Sequence, residues 1–290
     1  MAGGGVVNPT VHSLHSEARR QLQVAGCDSP ALDARIFVKK VFGLTDTDLI
    51  AGEDREATAA EMAVLAAMMQ RRLSGEPVSR ILGQKEFWGL TFTVTPAVLD
   101  PRPDTETIVQ AAVMEMQAVP PKTILDLGTG SGCLVISLLK EFPEARGTAV
   151  DVSAEALAVA KMNAESLGVA DRITFIHGAW FDKVTESYDL IVSNPPYIPL
   201  KDIESLSPEV RNHDPILALT GGDDGYDAYR IIVKEIKNHL NPGGLCYLET
   251  GFDQGENVAR LAGESNLSVR RIIPDLSGIP RAVEITRGDN

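Results

Sequence analysis

From Thr123 onward the chain alternates short apolar runs with stretches of helical spacing, and no other feature limits its fold so narrowly. The runs are TILDLG (123–128), GTAVDV (147–152), RITFIHG (172–178), YDLIVSN (188–194) and GLCYLET (244–250), with later ones at VRRII (269–273) and AVEIT (282–286). Strands separated by helices demand crossover connections. They predict an α/β fold with a mostly parallel sheet and helices on both faces. Ligands of such sheets bind beyond the carboxyl ends of the strands, so the functional residues are sought where each run stops.

The preceding sequence reads differently. From His12 to about Ser74, apolar residues recur at helical spacing, as in Ala31-Leu32, Ile36-Phe37, Met62, Leu65-Ala66, Met69 and Leu73. The stretch KEFWGLTFTV then alternates around Gly89 like a β-hairpin and leads into TPAVLDPRPDTE. The expected organisation is a helical domain over 1–84, a β-hairpin connector over 85–103 and an α/β domain over 104–290.

Composition narrows the partners. With 290 residues, 44% hydrophobic and 23% charged, the chain has the balance of a soluble globular protein. It contains no apolar run near the ~20 residues that span a bilayer, and its start lacks the apolar core of a secretory signal. The expectation is a cytoplasmic protein with no membrane partner and a disordered Gly-rich beginning. Cys27, Cys133 and Cys246 are odd in number and widely spaced, which suits reduced buried thiols and implies no metal. A net charge of −13 disfavours direct contact with a nucleic-acid backbone.

The first strand ends in Gly128-Thr129-Gly130-Ser131-Gly132, a turn that opens a helix. Glycines there let backbone approach a ligand, and the helix start offers free N–H groups. The second strand ends at Asp151, a position from which a carboxylate can bind both hydroxyls of a ribose. Helix capping is the competing role, and Ser153 can supply that. After the third strand comes Trp180, which either lies against an adenine ring or fills the edge of the core. His177 and His213 have no partner in sequence and read as structural. The fourth strand delivers Ser193-Asn194-Pro195-Pro196-Tyr197, where two prolines end the ladder and hold the chain stiffly extended.

The glycine loop, the acidic second strand and the NPPY run resemble Rossmann-like class I S-adenosylmethionine-dependent amino-methyltransferases. More narrowly, GEPVSRILGQKEFWGLTFTV, VLDPRPDTE, LDLGTGSGC, SNPPYIP, LTGGDDGYDAYRII and LNPGGLCYLETG, in that order, resemble the protein-(glutamine-N5) methyltransferases that modify peptide chain release factors. The chain departs from that pattern at Ala179, where an acidic residue is usual, and at His213-Asp214-Pro215, in place of aromatic-Glu-Pro.

The resemblance implies methyl transfer from S-adenosylmethionine to the glutamine of the Gly-Gly-Gln motif of release factors, supporting translation termination. It implies that Gly128, Thr129, Gly130, Ser131, Gly132, Asp151, Trp180 and Asn194 contact the cofactor. Asn194, Pro195, Pro196 and Tyr197 would hold the glutamine, with Asn194, Pro195 and Tyr197 at the chemistry, Tyr197 stacking on the flat amide. The helical domain would recognise the partner, and Arg102, Asp104 and Glu106 would line the entrance. The rival reading is an adenine-N6 methyltransferase of DNA or RNA, which would use the same NPPY run on an exocyclic amine of an extruded base.

Overall fold

The computed structural model describes residues 8–51 and 55–288. The Gly-rich start, expected to be disordered, lies outside the described residues at positions 1–7. The chain divides into two compact units, Met1–Leu82 and Gly83–Asn290.

The first unit is helical: α1 (Val11–Val24), α2 (Pro30–Phe42), α3 (Asp46–Ala51), α4 (Ala59–Leu73) and α5 (Val78–Leu82). Ala34, Phe37 and Val38 of α2 fall on one helical face and pack with Leu22, Leu65 and Met69. Thr58 and Glu61 form a reciprocal capping box at the start of α4. Inside the unit Arg72 Nε donates to Asp33 Oδ2 at 2.7 Å, a buried ion pair joining α4 to α2.

The second unit opens with a hairpin, β1 (Gln84–Phe87) and β2 (Leu90–Thr93). Its two-residue turn, Trp88-Gly89, has positive φ at both positions (52° and 68°), as the twist of a tight hairpin favours. The hairpin, expected as a connector, falls with the α/β unit and buries Phe87 and Phe92 in that unit's core. The remaining elements are α6 (Glu106–Met116), β3 (Thr123–Leu127), α7 (Cys133–Glu141), β4 (Arg146–Asp151), α8 (Ala154–Ser166), β5 (Ile173–His177), β6 (Tyr188–Ser193), α9 (Pro208–His213), α10 (Asp227–His239), β7 (Leu240–Glu249), α11 (Gly255–Glu264), β8 (Ser268–Pro274) and β9 (Pro280–Thr286).

Seven strands form one sheet in the order β5-β4-β3-β6-β7-β9-β8, with β9 antiparallel to both its neighbours and the rest parallel. Side-chain alternation divides each central strand between two cores. Ile124, Leu190, Val192 and Tyr247 pack on one face with α6 and α7; Leu125, Ile191, Cys246 and Leu248 pack on the other with α10 and α11. The strand order reverses between β3 and β6, so the crevice at a topological switch point opens beyond their carboxyl ends. No disulfide joins the three cysteines among the described residues; Cys246 is buried, while Cys27 and Cys133 are only half-buried.

Candidate active site

The turn after β3 is pinned to its neighbour strand before it reaches any ligand. Gly128 and Thr129 both donate backbone N–H bonds to the Val150 carbonyl of β4, at 2.8 and 2.9 Å. Gly128, Gly130 and Gly132 take φ of 70°, 55° and 82°, a region costly for side-chain-bearing residues. Space restricts Gly132 further, since a Cβ there would sit 2.9 Å from Ile136 Cδ1 and 3.3 Å from Ala160 Cβ. Beneath the turn, buried Asp126 accepts from the Thr129 hydroxyl at 2.7 Å, and burial pushes its carboxyl up to about 7.

At the end of β4, Ser153 caps α8 by accepting from the Ala156 N–H at 3.1 Å, as expected. Asp151 is nevertheless committed. Its Oδ2 accepts from Gly130 N at 2.8 Å and its Oδ1 from Ser153 N at 2.9 Å. The Val152 N–H also faces the carboxylate, and of its about four acceptor positions at least one remains for a ligand. Burial raises its pKa from the ordinary value against the opposing effect of those hydrogen bonds.

Asn194 leaves β6 half-buried, and its Nδ2 donates to Thr105 Oγ1 at 3.1 Å. That bond turns the carboxamide oxygen away from Thr105. Trp180 lines the cavity and also packs against the second core, in a left-handed conformation (φ 49°) rare for a bulky residue. His177 contacts the Val152 carbonyl at 2.9 Å through its Nε2, a structural role.

These strand ends surround a cavity of about 460 Å³. Gly128, Thr129, Gly130, Ser131, Asp151, Trp180, Asn194 and Pro196 line it. Gly132, Pro195 and Tyr197 lie behind its wall: Gly132 is buried under α7 and α8, Pro195 is buried, and the Tyr197 ring packs on the second core. Burial and the nearby Glu249 push the Tyr197 phenol up to about 12, and its carbonyl accepts from Gln254 Nε2 at 3.0 Å. Of the three residues expected at the entrance only Arg102 lines the cavity, paired with Asp214 at 2.5 Å. Glu106 instead accepts from the Trp88 N–H at 2.8 Å, and Asp104 pairs with Arg281 at 3.1 Å.

Other walls were given no site role in advance. Val98, Leu99 and Asp100 come from the segment read as a connector, and Pro215, Leu217 and Thr220 come from the stretch after NPPY. Asn163, fully buried on α8, accepts from Thr93 N at 2.7 Å and donates to Thr93 O at 3.0 Å and Ser131 O at 2.9 Å. It joins the hairpin to the glycine turn. A polar residue on a helix face otherwise made of Ala156, Ala160 and Ala164 was the available clue.

Two family models match the chain, a PrmC N-terminal domain over residues 13–83 and a methyltransferase small domain over residues 99–206. A release factor glutamine methyltransferase of Bradyrhizobium diazoefficiens is 45% identical over 278 residues, covering 94% of each chain. One from Caulobacter vibrioides is 42% identical over 275 residues, covering 94% of this chain and 95% of its own. Among solved structures, the T. thermophilus 16S rRNA N2 G1207 methyltransferase in complex with AdoMet and guanosine superposes with a TM-score of 0.51 at 18% identity, over 71% of this chain and 50% of that one. Strand order and the methyltransferase model together define a class I methyltransferase. The extent and level of identity go further. The chain belongs to the release factor glutamine methyltransferase family.

Proposed function

We propose that this chain transfers the methyl group of S-adenosylmethionine to the side-chain amide nitrogen of the Gly-Gly-Gln glutamine in peptide chain release factors, in the cytoplasm. The observation that carries the reading is Asn194, whose nitrogen is occupied by Thr105 so that an acceptor oxygen is left for an incoming amide.

The cavity suits the cofactor. Its volume is that of a small-molecule site, Asp151 keeps acceptor capacity for ribose, and the start of α7 offers free N–H groups to a carboxylate. Trp180 supplies a flat apolar wall. When bound, the cofactor contributes an electrophilic sulfonium methyl. A glutamine amide is a weak nucleophile because its lone pair is delocalised into the carbonyl, so the protein's task is to hold it in line. Such positioning is worth on the order of 7–11 kcal/mol. Asn194 Oδ1 accepts an amide hydrogen, and the two prolines that follow hold the chain that carries it stiffly extended. As positive charge builds on nitrogen, this acceptor stabilises it.

The helical unit before Leu82 recognises the release factor and selects a protein substrate. Family membership and the charge of −13 leave the adenine reading without support. Incubation with labelled S-adenosylmethionine and release factor should place one methyl on a glutamine amide, located by mass spectrometry. Label on adenine of added DNA or RNA, with none on release factor, would overturn the reading.

A further inference from the structure

Glu249 is a buried carboxyl to which the reaction as described gives no role. It ends β7 with 1% exposure, and its Oε2 has no hydrogen-bond partner. The sheet explains its position. Ser193 of β6 pairs with Leu248 of β7, so the next residues, Asn194 and Glu249, share the sheet face that carries Val192 and Tyr247. Thr105, 2% exposed, enters from the start of α6 on that same face. Its hydroxyl accepts from Asn194 Nδ2, and it sits beside the Glu249 carboxyl, favouring the ionised form against burial.

A hydroxyl has a single proton. Asn194 Nδ2 can only donate, and an ionised carboxylate can only accept, so the Thr105 proton points to Glu249 and its lone pair to Asn194. Resting on the proposed glutamine reaction, we infer that Glu249 and Thr105 are positioning residues which fix the direction of the Asn194 carboxamide and thereby present its oxygen to the substrate. With the carboxamide reversed, NH2 would face NH2 and the substrate amide would lose its acceptor.

Protonated Glu249 can donate to Thr105, freeing the hydroxyl to turn toward Asn194 and removing the constraint. Burial raises the Glu249 carboxyl to about 7. Arg281 of β9 and Arg102 oppose that rise, and Asp104 adds to it. Tyr229 of α10, Tyr197 and Cys133 of α7 also face Glu249, each shifted up and uncharged near neutrality. Turnover should therefore fall as pH drops through about 7.

The test compares full-length wild type with Thr105→Val, Thr105→Ser and Glu249→Gln under saturating cofactor. Thr105→Val should lower kcat at least tenfold with cofactor affinity within threefold, Thr105→Ser should restore most of it, and Glu249→Gln should flatten the acid limb of the kcat profile. A folded Thr105→Val with kcat within twofold of wild type, or a Glu249→Gln profile unchanged in shape, would overturn the inference. If wild type labels no glutamine, the substrate reading fails instead. The carboxamide is then judged by hydrogen exchange at the Asn194 side-chain amide in nuclear magnetic resonance: protection lost in Thr105→Val and kept in Thr105→Ser supports the inference, and equal protection in all three overturns it.

Discussion

The Gly130 N–H reaches across to the Asp151 carboxylate at 2.8 Å, so the ends of the first two strands of the sheet's central βαβ unit are tied by a charge-assisted hydrogen bond. The carboxylate proposed to bind a ribose thus also holds the turn proposed to face the rest of the cofactor. Removing it should therefore do two things. Asp151→Ala should weaken S-adenosylmethionine binding by about 1.5–3 kcal/mol, the range for hydrogen bonds to a charged group, and should speed amide exchange at Gly130. Calorimetry showing unchanged affinity in a folded variant would confine Asp151 to shaping the turn.

Asn194→Ala removes the acceptor while leaving the cavity's other walls in place. Turnover should fall ~10²-fold or more, as misplacement of a reacting group commonly causes. Single-turnover methyl transfer at saturating cofactor checks this, and near-normal rates would exclude an orienting role.

Asn163→Ala should destabilise the α/β unit by about 3 kcal/mol, because it leaves buried backbone groups of Thr93 and Ser131 unpaired. Urea unfolding measures the loss. Its reach into the glycine turn adds a second readout, a weaker affinity for the cofactor without any substitution in the cavity wall. Stability within 0.5 kcal/mol of wild type would mean that water replaces all three bonds.

Asp126 makes stability depend on pH. Its carboxyl is raised by burial to about 7 in the folded protein, against about 3.9 in an unfolded chain. Between those values the folded state binds the extra proton, so the contribution is complete below about pH 4 and is lost as pH rises through 7. Asp126→Asn removes this dependence. Its melting temperature should gain on wild type by a few degrees as pH goes from 5 to 8, and a constant gap would assign the proton to another group.

Much of this could be read from residues in order. The apolar runs ending in Gly128, Asp151 and Asn194 are local, and parallel pairing alone brings their ends together, so the crevice followed from strand order. Thr105 and Glu249 were not legible in that way. Their meeting with Asn194 depends on β7 lying beside β6 and on α6 starting above both, relations between residues 89 and 144 positions apart that leave no trace in local spacing. Trp180 was legible only as a choice between two roles, because a ring at the edge of a core has one face for each. The place of Pro215 to Thr220 in the wall was not legible, because long-range backbone bonds such as Ile198 N to Leu219 O at 3.0 Å fold that stretch back over the NPPY exit.

Strand β9 follows β8 in the chain yet lies between β7 and β8. During synthesis, the edge of β7 from Cys246 to Glu249 therefore stays open until residues 282–285 arrive to pair with it. An unpaired, apolar strand edge is a template for aggregation. A ribosome making this protein must deliver residue 285 before the wall that carries Glu249 can close, so the crevice beside Asn194 is completed by a strand made 36 residues after that wall.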